Sequence, residues 1–329
     1  MSNSRLTYID KAKGLAILLM VFAHVTPGEM ISTWIFAFHM PLFFIVSGIL
    51  IDKKYTEGVI TLSDIIKDIR RRLYQLGVPY IVFTLLLALF YGILLYLSGE
   101  DIHMIYSYLF KIVTFQGIDS LWFIPCYFVA ETIMKFTLCI SKLVYIGGVV
   151  LIGICLLFFL DYDMPFVWWG RLLMKFCICY TFVYVGYYIS RYKIVEHMKK
   201  QYTVIIFIVA SCLALYNGFS AIGSLSLNNP SLYYFNAICL TISVFFFFNM
   251  CQAKFLSIFS FWGKNSIVLL CTNNLIIEVV RFLDYRFTDN FLLLHGLFGS
   301  VIFLFIIIVI EIPIIKLVEN TRLAILFGK

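Results

Sequence analysis

The sequence predicts an all-α integral membrane protein: a bundle of about ten transmembrane helices with both termini on the cytoplasmic side. Three observations predict it. Apolar residues make up 62% of the 329 residues and charged residues only 13%, whereas a soluble globular chain is nearer ~45–50% apolar and ~25% charged. A chain of this size has too little core to hide so much apolar surface from water. The apolar residues are gathered into long runs, and the basic residues cluster between alternate runs. Together these exclude an ordinary cytosolic enzyme and a disordered chain. The net charge of +7 points to membrane orientation rather than nucleic acid, because its carriers flank the apolar runs.

Ten runs approach the ~20 apolar residues that a spanning helix needs. They lie near 11–28, 33–51, 77–98, 121–140, 144–160, 168–190, 202–218, 231–251, 265–283 and 291–315. In lipid the backbone must satisfy its own hydrogen bonds, so the runs are expected to be helical. They are too continuous for the alternating strands of a membrane barrel. The first run resembles a signal peptide, with Arg5, Lys11 and Lys13 before an apolar stretch. It ends at His24-Val25-Thr26-Pro27 without a small-residue cleavage site and is expected to be retained. With all ten runs spanning, only Lys111, Arg171, Lys175, Arg281 and Arg286 of the 25 basic residues fall on the outer side. That bias sets both termini inside.

Residues 52–76 are expected to form the longest inner loop of a single domain covering 1–329. Within it, Leu62, Ile65, Ile66, Ile69 and Leu73 have helical spacing, and Arg70, Arg71 and Arg72 follow where a helix dipole favours cations. An amphipathic surface helix is expected, either as a headgroup anchor or as a phosphate-binding face. The nine cysteines lie in or beside apolar runs without CxxC spacing, which suggests buried thiols and no metal site.

Ionisable groups inside a membrane are expensive and mark functional sites. His24 stands near the outer end of the first run and His39 near the start of the second, joined by a short Pro27-Gly28 turn, so the two imidazoles are expected at matched depth. Lys13 precedes His24 by eleven positions, a rise of about 16 Å along a helix. Taken alone, Lys13 is an inner-side anchor. Glu131 and Lys135, one turn apart, are expected to pair with each other. Trp168, Trp169 and Arg171 suit an interfacial aromatic belt or a sugar-stacking surface.

Two segments carry a family resemblance. Ile9-Asp10-Lys11-Ala12-Lys13-Gly14-Leu15-Ala16-Ile17 followed by His24, and Phe38-His39-Met40-Pro41-Leu42-Phe43-Phe44-Ile45-Val46-Ser47-Gly48, resemble the opening of acyltransferase family 3, polytopic enzymes that O-acylate bacterial surface glycans. Arg71-Arg72-Leu73 to Val78-Pro79-Tyr80, Leu121-Trp122-Phe123-Ile124 and Gly263-Lys264-Asn265-Ser266-Ile267 resemble later elements of the same family. The sequence departs from it at Leu270-Cys271-Thr272-Asn273-Asn274, where the family often carries tyrosine or histidine.

The resemblance implies a multi-pass enzyme of the bacterial inner (cytoplasmic) membrane, using acyl-CoA, with acetyl-CoA the first expectation, as co-substrate. It also implies a surface glycan or lipid-linked oligosaccharide as the acceptor. Lys13, Arg71 and Arg72 are then candidates for the CoA phosphates, and Trp122, Trp168 and Arg171 for the acceptor. An imidazole can take the proton of a hydroxyl near neutral pH, so His24 is the expected general base, with His39 orienting it or the acceptor. An acyl-histidine route stays open. A transporter or flippase of a lipid-linked glycan or small solute is the alternative class, although no second copy of the His24–His39 hairpin exists to support paired repeats.

Overall fold

The computed structural model describes residues 7–26, 29–55, 61–99, 103–140, 168–251 and 253–329. They are helical almost throughout, with one antiparallel bridge between Ala221 and Ser226. Among the described residues, eight helical segments are long and apolar enough to cross a membrane. The first helix, α1 (Thr7–Val25), is not among these eight; its first two turns hold Asp10, Lys11 and Lys13. The expected run at 144–160 and the Pro27-Gly28 turn lie outside the described residues. The multi-pass helical architecture is therefore established, with eight candidate spans among the described residues against an expected total of about ten.

The chain divides into two compact units, residues 1–61 with 130–266, and residues 62–129 with 267–329. In the first unit, α2 (Glu29–Phe36) and α3 (His39–Tyr55) follow α1. Next come the later turns of α6 (Phe123–Ile140), then α7 (Trp168–Arg191), α8 (Lys200–Asn217), α9 (Pro230–Met250) and α10 (Ser257–Lys264). Two tight crossings organise it. α3 runs along α7 and α1 along α10, and each crossing is set by a reciprocal pair of glycines. A Cβ on Gly48 would strike the Val183 carbonyl and one on Gly186 the Ile45 carbonyl; one on Gly14 would strike the Phe259 carbonyl and one on Gly263 the Asp10 carbonyl. Small residues let membrane helices gain dispersion energy through close backbone approach where hydrophobic burial offers little. Ala12, Ala16, Met20, Phe44, Ile45, Phe182 and Val183 fill the space beside these crossings and are fully buried.

The second unit is built on α4 (Leu62–Ser98) and α5 (Met104–Val113), with α11 (Ser266–Thr288) and α12 (Gly296–Asn320). The amphipathic stretch expected within 52–76 is helical from Leu62 and continues without a break into the next span, so it forms the first turns of α4. Tyr80 donates a hydrogen bond to the Ile112 carbonyl at 3.1 Å and ties α4 to α5. The C-terminal 3₁₀ turn, Arg322–Phe327, packs on α4 with the Phe327 and Phe83 rings 4.8 Å apart.

Candidate active site

The local sequence explains where the two imidazoles stand. Pro41 has no N–H, and its ring clashes with the carbonyl four residues earlier, which belongs to Ala37. The helix gives way there: Phe38 N–H turns to the Ile35 carbonyl at 3.2 Å, and regular bonding resumes with Leu42 N–H to Phe38 O at 2.9 Å. Pro41 sits in the first turn of the restarted α3, where its missing donor is harmless. His39 opens α3 and is buried, 1% exposed. Its Nδ1 lies 2.8 Å from the Ile35 carbonyl. A carbonyl can only accept, so Nδ1 carries the proton and Nε2 of the neutral ring is the basic nitrogen. The break thus provides a carbonyl that fixes the tautomer.

His24 lies in the last turn of α1 and is partly buried. Its ring meets Phe36 edge-on at 6.0 Å, and Phe36 meets His39 edge-on at 5.0 Å. The two imidazoles flank one phenyl ring. Lys13, on the same unbroken helix as His24, has a side chain 23% exposed with its ammonium 3.8 Å from Asp10. Trp168 and Arg171 lie exposed at the start of α7, where Arg171 donates to the Ser224 carbonyl at 3.4 Å. That bond holds the loop before α9. All of these belong to the first unit.

Arg71, Arg72 and Trp122 belong to the second. Arg71 is exposed on α4, and Arg72 donates to Gln75 at 3.3 Å. Trp122 ends a 3₁₀ turn, Asp119–Trp122, that leads into α6. Its ring is 6.3 Å from Phe123.

Two polar groupings were not legible in the sequence. At the point of departure from the family pattern, Thr272 bonds to Glu311 at 2.6 Å, and Glu311 is fully buried. Asn274 donates to Ser120 at 3.1 Å, and Ser120 to the Leu270 carbonyl at 3.2 Å. Partners 39 to 154 positions apart leave no local spacing to read. Glu131 and Lys135 do pair as their spacing predicted, at 2.8 Å and almost fully buried. Trp34 donates from its indole nitrogen to Ser211 at 3.0 Å, another long-range contact. Among the described residues no cluster of histidine, cysteine and acidic groups could hold a metal ion.

A multi-pass helical bundle with an imidazole pair beside a helix break is a membrane protein with a paired-histidine candidate site. The chain also matches the acyltransferase domain model of acyltransferase family 3 over residues 6–312. It belongs to that family and is a membrane acyltransferase. No curated protein and no solved structure matches it.

Proposed function

We propose that this acyltransferase moves an acyl group, acetyl in the first instance, from cytoplasmic acyl-CoA to a hydroxyl of a surface or lipid-linked glycan in a bacterial inner membrane. The observation that carries the proposal is the imidazole pair around Phe36, with the tautomer of His39 fixed by Ile35. In this reading His24 accepts the proton of the acceptor hydroxyl as the oxygen attacks the thioester carbonyl. The new C–O bond forms, the C–S bond breaks, and the proton passes to the departing thiolate to give free CoA. His39 orients His24 or the acceptor through its basic Nε2. An oxygen nucleophile needs such a base because its proton is otherwise lost too late in the reaction.

Lys13 is the proposed phosphate contact in the first unit, and Arg71 and Arg72 are those proposed in the second. The α1 helix is continuous from Lys13 to His24, so the rise of about 16 Å between them suits an extended donor with its anionic end at the lysine. Trp168, Arg171 and Trp122 are proposed acceptor contacts. The charge bias of the loops supports both termini facing the cytoplasm.

The experiment is acyl transfer by purified protein from radiolabelled acetyl-CoA to a lipid-linked glycan extract. Label transferred by the natural chain and lost in His24→Ala, at equal membrane abundance, is the expected result. Full activity in His24→Ala overturns the role of His24; absence of transfer by the natural chain from any short acyl-CoA overturns the activity itself.

A further inference from the structure

The first unit contains a cavity of about 690 Å³ between α8 and α9 that the acyl-transfer reading does not use. On α8 it is lined by Lys200, Thr203, Val204 and Phe207, which is one face of a helix at i, i+3, i+4 and i+7. Phe247 and Met250 face it from α9, and Trp34 and Phe38 close its far end. Val204, Phe247 and Met250 are half or more exposed, so the groove opens sideways. In a spanning bundle that side meets lipid. The two hydroxyls on its walls are occupied, Thr203 with the Lys199 carbonyl and Ser243 with the Cys239 carbonyl. The walls are thus apolar and chemically quiet.

The ends differ. One carries Lys200, exposed and without an ion-pair partner among the described residues, with Lys199 beside it in sequence. The other carries Trp34, bonded to Ser211 on α8. From Lys200 to Ser211 the helix rises about 16 Å, close to half of the ~30 Å hydrocarbon core of a bilayer. A cation at one end of an apolar channel one leaflet deep matches one ligand: a lipid whose anionic headgroup sits at the lysine and whose acyl chain fills the groove.

We propose that this groove is a binding site for an anionic phospholipid of the surrounding bilayer. Its chain packs on Trp34 in α2 and on Phe38 at the point where α2 gives way to α3. The lipid therefore steadies the break that carries His39, and the site is a positioning site rather than part of the chemistry. The proposal stands independently of the acyl group and acceptor.

The test is native mass spectrometry of the full chain, released from nanodiscs holding equal mole fractions of phosphatidylglycerol and phosphatidylcholine. The natural chain is expected to retain about one phosphatidylglycerol, in preference to phosphatidylcholine, through detergent wash. Lys200→Gln should lower that retention by about tenfold, an effect of about 1.4 kcal/mol, while Lys53→Gln, outside the groove, leaves it unchanged. Val204→Trp, which fills the groove, should lower retention of both lipids. Lys200 is exposed, so its variant tests the site even where Val204→Trp does not fold. Equal retention of the two lipids by the natural chain, undiminished phosphatidylglycerol in Lys200→Gln, or an equal loss in Lys53→Gln would each overturn the proposal.

Discussion

His39 and Ile35 show how a single hydrogen bond assigns a role. With Nδ1 committed to a carbonyl, the ring presents one basic nitrogen in a fixed direction, and His24 lies across Phe36 from it. Removing the His24 imidazole is expected to lower acyl transfer by about 10²–10⁴-fold, the range for a lost general base, and removing the orienting His39 imidazole to lower it less, both with unchanged abundance in membranes; transfer assays on His24→Ala and His39→Ala check this. Thr272 and Glu311 are a second residue-scale case. The fully buried Glu311 has its Thr272 partner at 2.6 Å, and its other oxygen, Oε2, has no hydrogen-bond partner among the described residues. Thr272→Val should therefore lower stability by about 1–3 kcal/mol, the penalty for a buried polar group left unsatisfied. Thr272→Ser should restore most of it. Thermal unfolding of the detergent-purified variants distinguishes them.

At the scale of elements, the break between α2 and α3 and the glycine crossings make opposite predictions. Pro41 prevents a regular bond to the Ala37 carbonyl, and at the resulting break the Ile35 carbonyl accepts from both the Phe38 N–H and the His39 ring. Pro41→Ala permits the ladder to run through, so the backbone N–H of His39 competes for Ile35. We expect this variant to fold with an unchanged or higher melting temperature and to lose activity at least tenfold, a combination that a merely structural proline would not produce. Gly48→Val does the reverse. Its new side chain meets the Val183 backbone rather than a movable side-chain end, and overpacking of this kind costs about 1–3 kcal/mol or more. A lowered melting temperature and reduced yield are expected, with Gly48→Ala milder than Gly48→Val.

For the whole molecule, the charge distribution makes the testable statement. With all ten expected runs spanning, the basic residues would collect on one side, and the proposed topology places both termini with them. Reporter fusions that are active only in the cytoplasm should therefore be active at both the N- and C-terminus. Activity at one end alone would show an odd number of crossings and remove the topological basis for a cytoplasmic donor. The family match extends from residue 6 to residue 312, across the residues of both compact units, so the topology of either unit bears on the same enzyme.

Composition and run length by themselves determined the solvent, the helical class and the approximate positions of the eight candidate spans among the described residues, because a backbone in lipid has few other ways to satisfy its hydrogen bonds. The spacing of Lys13, His24 and His39 within recognisable motifs also sufficed to single out the imidazole pair and the family. Pro41 carried the signal for the helix break, although the apolar run around it reads as continuous. What only the tertiary structure decided are contacts between residues far apart in sequence: Thr272 with Glu311, Asn274 with Ser120, Trp34 with Ser211. Hydropathy is a local property and fixes depth, whereas pairing across helices depends on rotation and register, which in a chain this apolar are set by a few glycines and hydrogen bonds. The same reason explains why the groove ending at Lys200 had no signature in the sequence: its walls are ordinary lipid-facing residues until α8 and α9 come together.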